Sequence, residues 1–211
     1  MKTIEQHVAE TLRLVRPRPG LYMGVKSITC LQQYIHGVME GLSLAGAPRQ
    51  ETLFPLPLHA FLFSEYVARR FGFFGSTAGW KSMLLKTCGG DEEKAFDQFY
   101  EVWDAYTALR PQQAFFAPVP ENRSLQAALA QGLAVQQRNG GAWTVAEPQA
   151  TGVYLLRLTG DGQWMAALEN CCATRWLPHE AVFVAREKAE QSAASLLGPL
   201  SFQEIPPDRF Q

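Results

Sequence analysis

The hydrophobic period changes partway along the 211 residues of this chain, and that change limits the possible folds more than any other feature. Up to about residue 110, apolar residues recur at spacings of three and four, which is typical of amphipathic helices. Beyond about residue 135 the period drops towards two, which is typical of strands. The pattern therefore predicts an α+β protein with a mainly helical N-terminal part and a small mixed C-terminal part.

The N-terminal part is predicted to hold five helices. Ile4, Val8, Leu12 and Val15 form one apolar stripe, and the prolines at 17 and 19 end the first helix. Ser27 is the predicted N-cap of the second helix. The predicted ranges are 4–15, 28 to about 46, 58–71 with an inner face of Phe61, Leu62, Tyr66 and Val67, 80–89, and 91–109.

The C-terminal part is predicted to be built around a β-hairpin. Val153–Leu158 and Trp164–Leu168 flank Thr159–Gly162, whose glycines tolerate positive φ. Further strands are expected at 143–146 and 181–185, helices at 125–135 and 187–197, and an extended segment at 200–205. The predicted domains are a helical domain at 1–110, a proline-rich linker or packed arm at 111–124, and a small α+β domain at 125–211.

Composition excludes several classes of function. The net charge of −1 gives no reason to expect nucleic acid or an anionic membrane as a partner. No apolar run is long enough for a spanning helix, and residues 1–9 lack the apolar region of a signal peptide. Cys30, Cys88, Cys171 and Cys172 form no CxxC pair, so a reduced, cytoplasmic protein is expected. The scattered histidines predict no metal, and no motif predicts a cofactor.

The stretch RPRPGLYMG, residues 16–24, is conformationally restricted. Proline fixes φ and glycine accepts positive φ, so Pro19 and Gly20 are predicted to form a tight structural turn together with Tyr22 and Gly24. This corner is expected to seat Leu21, Tyr22 and Met23 against the neighbouring helices.

RPGLYMG resembles the RPGMYIG segment near the start of gyrase B and related GHKL ATPase domains. In that family the next helix supplies a Glu and an Asn, and later glycine-rich motifs hold the nucleotide. Here the next helix offers Glu40 without an adjacent Asn, and no DxGxG or GxxGxG follows. Without a metal ligand and a phosphate cradle, the resemblance predicts a local turn rather than ATPase chemistry.

A second resemblance extends from about residue 10 to residue 106. RPGLYMG is followed by SITCLQQYIHG, FSEYVARRFG and GWKSMLLKTCGGDEEKAFDQFYEVWDAY. This order resembles a group of bacterial proteins encoded near the toxin genes of polymorphic and contact-dependent competition systems. The resemblance implies a non-enzymatic immunity protein that binds and neutralises a cognate toxin.

The fifth predicted helix carries the candidate partner-binding residues. Glu93, Asp97, Glu101 and Asp104, here called the acidic stripe, are spaced four, four and three residues apart and share one face. Only Lys94 is basic within the helix, so the stripe is predicted to lack balancing charge. An exposed acidic face suits a basic partner, such as a nuclease toxin that binds phosphates.

Two other classes of function stay open at the level of sequence. One is an enzyme with a thiol site near Cys171, Cys172 and His179, or a degenerate nucleotide-binding protein using residues 16–24. The other is a structural or adaptor module. The sequence does not indicate the oligomeric state.

Overall fold

A computed structural model of the chain describes residues 1–50, 54–58, 60–73, 79–118, 136–139, 142–145, 152–168 and 181–210. The chain divides into two compact units, Met1–Leu109 and Arg110–Gln211. Described helices lie mostly in the first unit and described strands in the second, which confirms the predicted α+β class. The helix predicted at 125–135 lies outside the described residues.

The first unit is helical. Its helices are α1 (Ile4–Val15), α2 (Pro19–Met23), α3 (Ile28–Leu44), α4 (Ala60–Phe71), α5 (Trp80–Thr87) and α6 (Glu92–Thr107). Thr3 and Gln6 form a capping box that begins α1, and the predicted stripe of this helix is buried along its whole length. The Ser27 side chain accepts a hydrogen bond from the Cys30 N–H, which confirms the predicted N-cap of α3.

An aromatic core holds α4, α5 and α6 together. The fully buried ring of Phe63 lies edge-on, at centroid distances of 5.2–5.8 Å, to the rings of Trp80, Phe99, Trp103 and Tyr106. Such edge-to-face pairs add to the hydrophobic stabilisation that comes from burying the rings. The predicted inner face of α4 is buried at Leu62, Tyr66 and Val67, but the prediction omitted Phe63, the residue at the centre of the core.

The second unit contains a five-stranded antiparallel sheet. Its described elements are β1 (Pro111–Pro118), β2 (Gln136–Asn139), β3 (Ala142–Val145), β4 (Gly152–Leu158), β5 (Trp164–Leu168), β6 (Val182–Val184), α7 (Arg186–Leu197), β7 (Gln203–Ile205) and a 3-10 turn at Pro207–Phe210. The strand order is β6-β5-β4-β1-β7, and β2 and β3 form a separate pair. The predicted β4–β5 hairpin is confirmed, with Gly160 and Gly162 at φ values of 82° and 65°.

The segment predicted as a linker or packed arm is, from Pro111 to Pro118, an interior strand of the sheet. β1 pairs with β4 on one side and with β7 on the other. The prolines misled the prediction because Pro111 and Pro118 lie at the two ends of the strand, where a missing N–H interrupts the ladder least. Between them, Phe116 packs its ring over Gly152 on β4, at a point where a Cβ would collide with the ring.

One face of the sheet is covered by α7. Ala189, Ala193 and Leu197 of α7 pack on Val153 and Leu155 of β4. The other face is also buried at Tyr154 and Leu156, so β4 does not show the alternating burial that a period of two predicts.

At the β6 edge a bulge interrupts the ladder. Trp164 pairs with Val184 and Met165 with Val182, which leaves Phe183 as the extra residue. Its φ of 54° is unusual for a residue with a side chain, and its ring is buried. The bulge is consistent with burial of three consecutive side chains, because it breaks the alternation of the strand.

Candidate protein-binding surface

All four residues of the acidic stripe lie exposed on α6. The side chain of Asp91 caps this helix, accepting hydrogen bonds from the N–H groups of Glu93 and Lys94 at 3.1 and 3.0 Å. The cap sets where α6 begins. The spacing of the acids and their exposure agree with the sequence pattern.

The stripe is nevertheless partly neutralised, which corrects the expectation that its charge is unbalanced. Arg16 Nη1 lies 2.8 Å from Asp104 Oδ2, and Lys26 Nζ lies 2.7 Å from Asp97 Oδ2. Both cations come from outside α6, where a pattern along one helix cannot reveal them. In the described part of the chain, Glu93 and Glu101 have no ion pair of their own.

An aromatic ring lies beside each of the two cations. The Arg16 guanidinium is 5.1 Å from the centre of the Tyr100 ring, and Lys26 Nζ is 5.8 Å from that of Phe96. The Tyr100 hydroxyl donates a 3.0 Å hydrogen bond to the carbonyl of Leu12. Burial raises the pKa of Tyr100, so the hydroxyl remains a protonated donor at neutral pH. Each position therefore offers a cation both a carboxylate and a π face.

Arg16 and Lys26 are the two ends of a segment, Arg16–Lys26, that we call the strap. It contains α2 and the whole RPRPGLYMG stretch. No residue of the strap is buried, whereas the residues that flank it, Val15 and Ser27, are. The strap is thus an ordered surface segment tied at both ends to one face of α6.

The predicted corner at Pro19 and Gly20 is instead the first turn of α2. Pro19 occupies the start of the helix, where its fixed φ is favourable and its missing N–H costs nothing. Gly20 does not have positive φ; the residue that does is Gly24, at 76°, which ends the helix in the left-handed conformation. The restricted stretch therefore starts and stops a short helix.

The expectation that Leu21, Tyr22 and Met23 pack against the helices is met only in part. Tyr22 contacts Tyr34 of α3 edge-on, with ring centroids 6.3 Å apart. Leu21 is 72% exposed and Val25 is also exposed, so the strap presents two apolar side chains to solvent. These two residues were not among the predicted partner-binding residues.

Glu92 has a role that its position in the sequence conceals. Glu92 lies in the first turn of α6, where an acid suits the helix dipole, yet its carboxylate caps the start of α3. It accepts hydrogen bonds from Ser27 Oγ at 2.7 Å, Thr29 N at 3.0 Å and Thr29 Oγ1 at 2.7 Å. Burial by itself would raise the pKa of Glu92, but these three hydrogen bonds lower it overall. Glu92 thus secures the chain directly after the strap.

The described residues show no assembled metal site and no spanning helix. No group of three or more His, Cys, Asp or Glu side chains lies close enough together to hold a metal ion in these ranges. Within the same ranges no helix is both long and apolar enough to cross a bilayer. Cys171, Cys172 and His179, the residues of the alternative thiol site, lie outside the described residues.

The strap and the acidic stripe together form the candidate site, whose features suit recognition of another protein. They present an exposed Leu, two exposed ion pairs and two further carboxylates, and interfaces combine apolar and polar groups of this kind. Comparison of the chain with protein-family models, with curated proteins and with solved structures finds no match.

Proposed function

We propose that this chain is a non-enzymatic immunity protein that binds a cognate bacterial toxin through the strap and the exposed acids of α6. The observation that supports the proposal most is the exposure of Leu21 on a segment tied down at both ends. A large apolar side chain held in a defined position is the kind of anchor that contributes most to protein–protein affinity.

The charges around the anchor favour a basic surface on the toxin. Arg16 and Lys26 neutralise Asp104 and Asp97 in the free protein, so Glu93 and Glu101 are the acids that a partner's cations would meet first. Charge steering is therefore assigned to these two residues instead of the whole stripe. The resemblance to immunity proteins covers both the strap and α6, and it supports a toxin as the partner.

The test is a binding measurement with the product of the neighbouring gene. Leu21→Ser is expected to weaken the affinity by about tenfold or more, because truncation of a central anchor costs over ~1 kcal/mol. Leu44→Ser is the matched control: Leu44 is 81% exposed at the C-terminal end of α3, about 24 Å along the helix from its start beside the strap. The control is expected to bind like the wild type.

Each outcome has a defined meaning. Equal affinity of Leu21→Ser and the wild type would remove the strap from the interface. If no neighbouring product binds, the immunity function fails. If toxicity is suppressed only by a protein whose Cys171 and Cys172 are intact, while Cys-to-Ser variants remain folded, the thiol enzyme is favoured instead.

A further inference from the structure

The strap is held in place differently from the chain on either side of it. Val15, at its N-terminal side, and Ile28, at its C-terminal side, are fully buried. Between them Ser27 is buried, but no residue of the strap itself is, and only Pro19, Tyr22, Met23 and Lys26 are half-buried. The strap is attached by this partial burial, by contacts of α2 with α1 and α3 that include Tyr22 against Tyr34, and by the two ion pairs.

The two ion pairs are the part of this attachment that is sensitive to salt. The carboxylates of Asp97 and Asp104 are 61% and 56% exposed, so water and counterions screen both pairs. The flanking residues Val15, Ser27 and Ile28 are buried in the unit, so opening of the strap would leave them in place.

Asp97 and Asp104 are also placed so that cations of another protein could replace Lys26 and Arg16. Asp97 and Asp104 lie two turns apart, about 10.5 Å along α6, on one face. The buried rings of Phe96 and Tyr100 lie beside the cations of this chain that occupy the two carboxylates. The two exposed carboxylates do not discriminate between a Lys or Arg of this chain and one from another protein.

We infer that the strap is an electrostatic latch, closed by Arg16–Asp104 and Lys26–Asp97 and opened by a basic protein surface that competes for the two carboxylates. The identity of the competing surface as that of a toxin rests on the proposed function. The latch itself is a property of the free protein and is tested without a toxin.

Residue-resolved hydrogen exchange of the whole chain tests the latch. The reporters are the N–H groups of Leu21 and Gly24, which donate to the carbonyls of Arg18 and Gly20 at 3.0 Å. In Asp97→Asn/Asp104→Asn we expect both to exchange about fivefold faster, the effect of losing two exposed ion pairs. The matched control, Glu93→Gln/Glu101→Gln, removes two charges from the same stripe and is expected to exchange like the wild type.

NaCl tests whether ion pairs close the strap, and an oligolysine peptide tests whether a basic surface opens it. High NaCl should accelerate exchange of the reporters in the wild type and have little effect in Asp97→Asn/Asp104→Asn. An oligolysine peptide should accelerate wild-type exchange more than NaCl of equal ionic strength does. Exchange that is identical in all variants would overturn the latch, even if a toxin binds. If oligolysine does no more than matched salt, opening by a basic surface is wrong.

Discussion

The aromatic core and the strap belong to the same helical unit, but different interactions hold them in place: buried rings in the core and exposed ion pairs in the strap. The ring of Phe63 and the four rings that contact it exclude water from the core. The strap buries none of its residues and is tied by two exposed ion pairs. Ring burial is expected to supply most of the stability of the unit, whereas the strap leaves apolar and charged groups available to a partner.

The largest expected effect on stability is at the core, and it tests the contrast between the core and the strap. Phe63→Ala should destabilise the protein by about 3–5 kcal/mol, because it removes the ring that four others contact and leaves a cavity. Leu21→Ala, a truncation of an exposed side chain, should change stability by less than about 0.5 kcal/mol. Urea unfolding followed by circular dichroism measures both. Similar losses in the two variants would show that the strap is a structural element like the core.

A smaller effect is expected at the boundary of the strap, where Glu92 caps α3. Glu92→Gln should cost about 1–2 kcal/mol, because an amide replaces the charge that receives three hydrogen bonds. The matched control is Glu93→Gln, which alters an exposed neighbour and should be close to neutral.

The same pair of variants tests how the stabilisation by Glu92 depends on pH. The folded pKa of Glu92 lies below its ordinary value of 4.5, so its stabilisation is complete at neutral pH. It is lost as the pH falls from about 4.5 through the folded pKa, and the difference between wild type and Glu92→Gln should shrink over that range. A difference that stays constant down to strongly acidic pH would contradict the role of the carboxylate.

The smallest effects on stability are expected at the two glycines of the strap, and they test which of them needs a positive φ. Gly24→Ala should cost about 1 kcal/mol, because a φ of 76° strains a residue that carries a Cβ. Gly20→Ala should be neutral or stabilise by up to about 1 kcal/mol, since Gly20 is helical and the added methyl meets open space. Thermal unfolding of the two variants distinguishes this assignment from a corner at Gly20, which would reverse the order.

Several features of the fold could be predicted because they depend on local chain geometry. The stripe of α1, the Ser27 cap, the helix between Trp80 and Thr87 and the β4–β5 hairpin follow from residue spacing and turn chemistry over a few positions. The exposure of the acidic stripe also followed from spacing, because the aromatic residues of α6 occupy the remaining faces.

Other features depend on which distant segments meet. Pro111–Pro118 resembled a linker, and only its pairing with β4 and β7 makes it an interior strand. The position of Phe183 in a bulge depends likewise on the register between β5 and β6. A sequence pattern records the propensity of a strand but not its neighbours, so neither outcome was predictable.

The sequence by itself determined the class of the fold, the helices of the first unit other than α2, and the face of α6 that carries its acids. Only the tertiary structure decided what those acids do. Arg16 and Asp104 are 88 positions apart, and Lys26 and Asp97 are 71 apart, so their pairing exists only because the fold brings α1, the strap and α6 together. Spacing along one helix sets which side chains share a face, whereas the charge of that face depends on every element that packs beside it.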